Sequence, residues 1–231
     1  MTDALYPFLS PAESGDAEPL LSTVARSTVE KAREIVALRR EVLTLLGPRI
    51  VACGAALAEA FAAGGRLFTF GNGGSSTDAQ AVAHLFFAPE RGPEHGPGHG
   101  LTRRPGARRH GLPAMSLTAD VALLTALTND IGFEAVFARQ LAALGTAADI
   151  AMGISTSGGS LNVVRGLQEA KRLGMVTVGL AGSGGGQMAE CGAVDHLLVI
   201  PSPSVHRIQE AQATVCHVLW ESVRRALDET A

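Results

Sequence analysis

Short apolar runs alternate with helical patterns along most of this chain, and this alternation constrains its fold more than any other feature. The runs are five or six residues long and lie at 66–70, 113–117, 148–153, 175–180 and 195–200. The helical patterns that follow them lie at 77–87, 119–128, 160–173, 184–190 and 203–228. Consecutive parallel strands need a crossover connection, which is usually a helix. The sequence therefore predicts one α/β domain with a doubly wound, five-stranded parallel sheet flanked by helices.

The N-terminal part has a different pattern. Residues 1–19 are rich in Pro, Ser and acidic side chains, and we expect a flexible arm there. Apolar residues at helical spacing then predict two helices, about 21–46 and 49–63, separated by Gly47-Pro48. We interpret this helical hairpin as a packing or oligomer element, and we assign residues 20–231 to a single domain that includes it.

Composition excludes several classes of protein. Hydrophobic residues make up 46% of the chain, so a wholly disordered protein is excluded. The formal net charge is -3, whereas phosphate neutralisation favours a basic protein, so we expect no nucleic-acid partner. We expect no membrane partner, because no run approaches the ~20 apolar residues of a span and the N-terminus lacks the order of a signal peptide. Cys53, Cys191 and Cys216 form no CxxC pair and indicate reduced thiols, as in a cytoplasmic protein.

Residues 89–111 interrupt the alternation with Gly, Pro, Arg and His and almost no apolar side chain. Such a segment cannot bury itself, so we expect a flexible insertion. It contains His95, His99 and His110, and five arginines against two glutamates. Three interpretations stay open: a solvated insertion, a lid over an anionic substrate, and a weak metal-binding tract. A nucleic-acid contact is less favoured, because the segment has no aromatic side chain for stacking on bases.

Two turns that follow predicted strands carry residues suited to binding an anion. In GNGGSS (71–76), glycines such as Gly73 let backbone N–H groups approach a ligand ahead of a helix N-terminus. STSGGS (155–160) places four hydroxyls at the start of a helix, of which ordinary capping explains only one. Neither turn has the spacing of a nucleotide phosphate loop or a dinucleotide fingerprint. Because ligands of open α/β sheets bind at the carboxyl ends of the strands, we predict a phosphate site here.

These turns and two further segments resemble the sugar isomerase (SIS) domain, and more closely its phosphoheptose isomerase branch. The segments are GNGGSSTDAQ (71–80), LTALTNDIGFEAVF (124–137), GISTSGGS (153–160) and RIQEAQATVCH (207–217). The resemblance runs in order from about residue 24 to residue 226. It implies an aldose–ketose isomerase that interconverts sedoheptulose 7-phosphate and D-glycero-D-heptose 7-phosphate. It also implies a homotetramer with active sites at subunit interfaces.

The resemblance assigns site residues as well. It implies that five hydroxyl side chains hold the phosphate, namely those of Ser75, Ser155, Thr156, Ser157 and Ser160. Asn72 and Asp130 would face the sugar hydroxyls. Gln209 is polar on an otherwise apolar helical pattern, so we interpret it as lining the site.

The catalytic residues depart from the family pattern. In the family, one helix reads D-A-x-H-x-x-x-E and another carries Gln and His eight residues apart. These four groups hold zinc where it is present, and the Glu and the last His move the proton. This chain has Ala81 in place of the first His and Leu85 in place of the Glu, whereas Gln209 and His217 are present. Gln209 and His217 are therefore the remaining metal candidates, and the zinc ligand set is incomplete, since zinc sites have three or four protein ligands.

Other histidines could replace the missing groups. His84 lies three residues after Ala81, which places it within about 60° of that helix face. It is either a base or ligand that acts with His217, or a helix histidine at an interface. His217 is either a retained catalytic group or a remnant of ancestry. His206 is a further substitute, although capping of the last helix suffices to explain it.

Two hypotheses for function follow. In the first, the chain is a divergent phosphoheptose isomerase in which His217, together with His84 or a histidine of the insertion, does the proton transfer. In the second, it is a non-catalytic SIS module that senses a sugar phosphate or docks a partner protein. The replacements at Ala81 and Leu85 motivate the second hypothesis.

Overall fold

The structure, a computed structural model, describes residues 17–88 and 111–230. The helices are α1 (Ala17–Ala62), α2 (Gly74–Phe87), α3 (Val121–Ile131), α4 (Val136–Leu144), α5 (Leu161–Arg172), α6 (Gly186–Glu190) and α7 (Val205–Thr230), with a 3-10 turn at Phe133–Ala135. The strands are β1 (Leu67–Gly71), β2 (Ala114–Ser116), β3 (Ile150–Ser155), β4 (Val176–Gly182) and β5 (His196–Ile200). The chain divides into two compact units, Met1–Ala37 and Leu38–Ala231, each with most of its residue contacts inside itself. The sheet belongs to the second unit.

The five strands form one parallel sheet in the order β2-β1-β3-β4-β5, which confirms the predicted fold class. The strand order reverses between β1 and β3. From β1 the chain crosses to β2 on one side, and it later enters β3 on the other. A reversal of this kind opens a crevice at the carboxyl ends of the two strands. The GNGGSS and STSGGS turns both lie at this crevice, because they follow β1 and β3.

The central strands β1 and β3 are apolar apart from Thr69 and Ser155, because helices cover both faces of the sheet. Every residue of β1 and of β3 is buried, as continuous apolar runs in parallel sheets require. The rings of Phe70 and Phe137 lie 5.1 Å apart between the sheet and α4. β2 is an edge strand of three residues and is only partly buried.

The predicted break at Gly47-Pro48 is wrong, since α1 continues through both residues and replaces the expected hairpin by one helix. Pro48 removes a helical hydrogen bond and costs about 3 kcal/mol in a helix interior. The apolar residues Val42, Leu46 and Ile50 are all buried at four-residue spacing on either side of it. Burial of each such side chain contributes about 1.5–3 kcal/mol. The continuous buried face therefore outweighs the cost of the proline.

The unit Met1–Ala37 is described from Ala17, where α1 begins, and the first 16 residues of the expected arm lie outside the described residues. By length and composition alone, Leu21–Ala62 could span a membrane, with a mean hydropathy of 1.5 in its most apolar 18-residue window. This corrects the expectation that no segment approaches a span. In that window 39% of the residues are buried inside the protein, and a core helix passes the same test.

Two carboxylates fix the amino-terminal ends of β3 and β4, at the end of the sheet opposite the crevice. Asp149 is 1% exposed and accepts hydrogen bonds from the backbone N–H groups of Arg66 and Thr146, each at 2.8 Å. The Arg66 guanidinium donates a further bond at 2.8 Å. Burial raises the pKa of Asp149, but these hydrogen bonds outweigh it and the pKa is lowered. Burial raises the pKa of Asp195, but hydrogen bonds from the Lys171 ammonium and from the Thr177 hydroxyl, the latter at 2.8 Å, outweigh it and the pKa is lowered.

Candidate functional site

The β1–α2 turn and the β3–α5 turn are joined by a pair of side-chain amides. Asn72 Nδ2 donates to Asn162 Oδ1 at 2.8 Å, and Asn162 Nδ2 donates to Asn72 Oδ1 at 2.8 Å. Asn162 lies in the first turn of α5, is 3% exposed, and accepts a further bond from the N–H of Val163. We call this pair the amide clasp. It makes one site of the two turns that the sequence singled out.

Three serine side chains of the β3–α5 turn form a cluster. Ser155 Oγ lies 3.0 Å from Ser160 Oγ and 3.4 Å from Ser157 Oγ. Ser155 is buried at the end of β3, whereas Ser157 is exposed. Thr156 lies between them and is half-buried. Hydroxyls so arranged can turn their protons together toward one anion.

Ser160 decides between helix capping and ligand binding for this turn. It occupies the N-cap position of α5, where a serine side chain usually accepts a bond from the helix backbone. Its side chain makes no such capping bond and faces Ser155 instead. Ordinary capping therefore does not account for this hydroxyl.

A third turn, after β4, supports the serine turn through backbone contacts that only glycine permits. Gly158 has φ +65°, and a Cβ on it would lie 2.0 Å from the carbonyl oxygen of Gly185. The carbonyl of Gly158 accepts a bond from the N–H of Met188 at 2.9 Å. On the ligand side, the Gly159 N–H donates to Ser157 Oγ at 3.2 Å. The backbone path of the serine turn is thus fixed by its contacts with the turn after β4.

The β1–α2 turn brings glycine backbone and a buried hydroxyl to the crevice. Gly73 has φ +55°, is exposed, and precedes the first residue of α2. Ser75 is buried in the first turn of that helix. A Cβ on Gly74 would lie 2.5 Å from Gln209 Nε2, so this turn is packed directly against α7.

Gln209 is held by a carboxylate on a neighbouring helix. Its Nε2 donates to Asp78 Oδ2 at 2.8 Å, which joins α7 to α2. The bond leaves the Gln209 carbonyl oxygen as an acceptor of fixed orientation. Asp78 belongs to the family pattern in the sequence, but this role was not predicted.

Asn162 is the other residue that the sequence analysis missed. An amide in the first helical turn after a serine run, between the apolar residues Leu161 and Val163, is the signal that could have found it. A polar side chain at such a position must find a partner when it is buried.

The two positions where the family has His and Glu carry no polar side chain here. Ala81 is exposed and Leu85 is half-buried, and both lie on α2. Neither side chain can bind a metal or transfer a proton. The structure therefore offers no replacement at these two positions.

His84 lies away from the two turns. It is exposed and lines a groove of about 540 Å³ between α2, β2, the start of α3 and α4, together with apolar residues such as Phe87 and Met115. No residue of either turn lines this groove. The structure thus does not bring His84 to the amide clasp or the serine cluster.

His217 is exposed on α7, two turns after Gln209. Its Nδ1 lies 2.8 Å from the carbonyl oxygen of Ala213, and because a carbonyl oxygen only accepts, Nδ1 is the donor and Nε2 takes no part in this bond. It makes no hydrogen bond with His84. His206, at the start of the same helix, is exposed.

Asp130 is exposed on α3, and its carboxylate accepts a bond from the neighbouring Asn129 at 3.0 Å. No residue of α3 is buried, although Val121, Leu123 and Ile131 are large and apolar. Within one chain, no hydrogen bond joins Asp130 to the two turns.

The zinc ion implied by the resemblance does not fit the residues present. Within residues 17–88 and 111–230, no group of three or more His, Cys, Asp or Glu side chains could hold a metal ion. Gln209 is engaged with Asp78, and His217 makes its one recorded bond to its own helix. Two donors of this kind are fewer than a zinc site requires.

Two of the three cysteines are not suited to nucleophilic chemistry. Cys53 and Cys216 are buried, and burial raises the pKa of each thiol to about 12. The nearby Asp78 carboxylate raises the pKa of Cys216 further. Both thiols therefore stay protonated at neutral pH.

The expected insertion at 89–111 lies outside the described residues except for Gly111. His95, His99 and His110 belong to that part. The three interpretations of the insertion stay predictions.

Comparison with known proteins gives a consistent result. Residues 102–182 match the SIS domain family. The chain is 40% identical over 204 residues to the phosphoheptose isomerase of Roseiflexus sp. (strain RS-1), covering 88% of this chain and 95% of that relative. It is 38% identical over 197 residues to that of Aquifex aeolicus, covering 85% and 94%. The solved phosphoheptose isomerase of Neisseria gonorrhoeae superposes with a TM-score of 0.73 at 30% identity, covering 87% and 98%.

Proposed function

Because the chain belongs to the phosphoheptose isomerase family of SIS-domain sugar-phosphate isomerases, we propose that it binds sedoheptulose 7-phosphate and interconverts it with D-glycero-D-heptose 7-phosphate. The observation that carries the proposal is the serine cluster at the crevice, with a Ser160 side chain that does not cap its helix. In this proposal residues 20–231 act as a single SIS domain.

The phosphate is held by the serine turn and the start of α5. The hydroxyls of Ser155, Ser157 and Ser160 donate to phosphate oxygens, and Thr156 and Ser75 add two more donors. The N–H groups of Leu161 and Asn162 at the start of α5 have no acceptor within the helix and lie at the positive end of its dipole, whereas those of Val163 and Val164 bond to the Ser160 carbonyl. Hydroxyl and N–H donors together bind a phosphate dianion without a lysine or arginine.

The sugar lies between the amide clasp and α7. Asn72 and the backbone at Gly73 contact its hydroxyls from one side. Gln209, fixed by Asp78, offers its carbonyl oxygen from the other.

A second subunit completes the site in this proposal. Asp130 reaches the sugar from a neighbouring protein chain, because it has no bond to the two turns within its own chain. The apolar residues of α3 are exposed in one chain and would be buried in a homotetramer. We propose this assembly for the cytoplasm, without a nucleic-acid partner.

Isomerisation moves one proton between C1 and C2 and one between O1 and O2. A base takes a proton from C1 of the ketose while O2 accepts one, and an enediol forms. The enediol then loses the O1 proton and receives one at C2. His217 is the proposed acid–base group, because its Nδ1–H is fixed by the Ala213 carbonyl and its Nε2 is free to accept.

A second candidate function is sugar-phosphate binding without turnover, as a sensor or as a docking protein. The specific observation that favours it is the absence of a proton-transferring side chain at Ala81 and Leu85, together with the position of His84 in a different groove. The serine cluster supports both functions equally. Only the chemical step separates them.

The experiment follows sedoheptulose 7-phosphate by NMR with the purified protein, with and without added zinc. New aldose signals that are absent with His217→Asn support the isomerase. Broadened ketose signals without new ones support the binding protein. If the spectrum is unchanged at all protein concentrations, both candidate functions are wrong.

A further inference from the structure

We propose that Asn162 is a positioning residue for sugar recognition, because it fixes which side of the Asn72 amide donates a hydrogen bond and which side accepts one. The inference rests on the proposed function, in which Asn72 faces the sugar. It goes beyond it by assigning a role to a residue that does not touch the ligand.

The two amides of the clasp differ in how many of their donors and acceptors are already used within the protein. A side-chain amide has two N–H donors and two lone pairs. Asn162 uses both lone pairs, on Asn72 Nδ2 and on the N–H of Val163, and one of its donors on Asn72 Oδ1. It is 3% exposed. Asn162 is therefore committed to the protein interior.

Asn72 keeps half of its capacity. Its two bonds to Asn162 use one N–H and one lone pair. One N–H and one lone pair are left on the same planar group, and Asn72 is only half-buried, so both can reach a ligand. They point to opposite sides of the amide, because the clasp uses the N–H and the lone pair that are parallel. On one side Asn72 can therefore donate to a sugar hydroxyl, and on the other it can accept from one.

The clasp also decides which way round this pair is presented. The terminal torsion of an asparagine is broad, so a free amide can rotate and exchange its oxygen and nitrogen. Asn162 excludes the rotated form, because rotation of Asn72 alone would oppose donor to donor and acceptor to acceptor. Without Asn162, binding of the sugar would have to pay the ordering entropy of Asn72 and select one of two orientations.

Binding of the phosphate does not depend on the amide clasp. Ser155, Ser157 and Ser160 are bonded among themselves and not to either asparagine. The backbone of α5 is kept when the Asn162 side chain is changed, since the Val163 N–H retains the Ser160 carbonyl as acceptor. A defect in the clasp should thus affect the sugar and spare the phosphate.

The test measures dissociation constants of sedoheptulose 7-phosphate and of inorganic phosphate by calorimetry for the wild type, Asn162→Ala, Asn72→Ala and the double variant. Asn162→Ala is expected to weaken the binding of sedoheptulose 7-phosphate about tenfold, which is the effect of one lost hydrogen bond. The dissociation constant of inorganic phosphate should change less than twofold. The double variant should be no weaker than Asn72→Ala, because Asn162 acts only through Asn72.

Val163→Ala is the matched control for a structural effect. Val163 is buried in the same helical turn, and its side chain takes no part in the clasp. It should lower the melting temperature and keep the ratio of the two dissociation constants. Equal losses of both ligands in Asn162→Ala, or additive losses in the double variant, would overturn the positioning role. A wild type that binds inorganic phosphate as tightly as sedoheptulose 7-phosphate would overturn the proposed function itself, and this role with it.

Discussion

Gln209 on the last helix donates a hydrogen bond to Asp78 on α2, with the two atoms 2.8 Å apart although the residues are 131 positions apart in sequence. The bond joins the helix that follows the first glycine turn to the helix that carries His217. Close packing of Gly74 against the same glutamine leaves it little freedom. The start of α7 and helix α2 are therefore fixed relative to each other by one amide and one carboxylate.

Asp78→Ala should release the Gln209 side chain and lower ligand affinity. We expect sedoheptulose 7-phosphate to bind about five- to tenfold more weakly, since one hydrogen bond to a charged group is lost. Calorimetric titration measures this change. Glu210→Ala, which removes an exposed ion pair with Arg207 next to Gln209, is the control and should leave affinity unchanged. Equal affinities for Asp78→Ala and the wild type would contradict the proposed orientation of Gln209.

Ser155→Ala should remove the hydroxyl at the centre of the serine cluster. Affinity for inorganic phosphate and for sedoheptulose 7-phosphate should fall together, each by about tenfold, because the phosphate is common to both. Equilibrium titration of both ligands checks this. Thr44→Ala, an exposed hydroxyl on α1 that bonds its own helix, is the control. A loss confined to the sugar phosphate would place the phosphate elsewhere.

Gly158→Ala should disrupt the support of the serine turn. Its φ of +65° and a Cβ 2.0 Å from the Gly185 carbonyl force the backbone to move, so we expect a loss of about 2–4 kcal/mol in the free energy of unfolding. Gly47→Ala is the opposite case, since a Cβ there meets nothing within 4 Å inside α1. It should stabilise the protein by about 0.5–1 kcal/mol. Urea unfolding of both variants measures the contrast, and similar stabilities would contradict it.

Asp149→Asn should lower stability at neutral pH and reduce the sensitivity to acid. Because the folded-state pKa of Asp149 is below its unfolded value of about 3.9, its contribution is complete above that pH and is lost as the pH falls through the folded pKa. We expect a loss of about 2 kcal/mol at pH 7, where the variant leaves the donors of Arg66 and Thr146 poorly paired. The difference from the wild type should shrink below about pH 4. Urea unfolding at several pH values measures it, and a constant difference would argue against the carboxylate. Asp195, whose pKa is also lowered, keeps part of the acid sensitivity.

Restoring the family pattern should create a metal site. The double variant Ala81→His, Leu85→Glu adds two donors on α2 to Gln209 and His217 on α7, which gives the four groups that the resemblance implies. We expect it to retain close to one zinc per chain after dialysis, whereas the wild type retains none. Each single variant is the control and should retain less. Equal zinc content in the wild type and the double variant would show that the natural residues already suffice.

The sequence predicted those parts of the fold that depend on local pattern. The buried runs of β1 and β3 and the Gly- and Ser-rich turns after them are visible as continuous apolar letters followed by small residues. The break predicted at Pro48 is wrong, because burial of apolar side chains on both sides of the proline outweighs its local cost. Helix content at that position is decided by tertiary packing, which no window of residues contains.

Individual site residues could be predicted from the sequence, but the long-range contacts between them could not. The hydroxyls of the serine turn are adjacent in sequence, so their clustering follows from the turn itself. The clasp joins Asn72 to a residue 90 positions away, and the Gln209–Asp78 bond spans more. Such pairs depend on strand order, and the sequence fixes neither β1 beside β3 nor the angle of α7. The helical spacing places His84 near the face of Ala81, but in the structure its side chain lines a different groove.

The adjacency of β1 and β3 has a consequence for how the chain can change length. Their pairing closes the segment 72–149 into a loop, and the entropy of closing a loop grows only with the logarithm of its length. Doubling such a loop costs about 0.6 kcal/mol. Insertions and deletions within 72–149 that spare its packed elements are therefore cheap, whereas a single residue inserted into either of the two turns would displace the serine hydroxyls. Natural variation in length should thus accumulate between the two halves of the site and avoid the turns that form it.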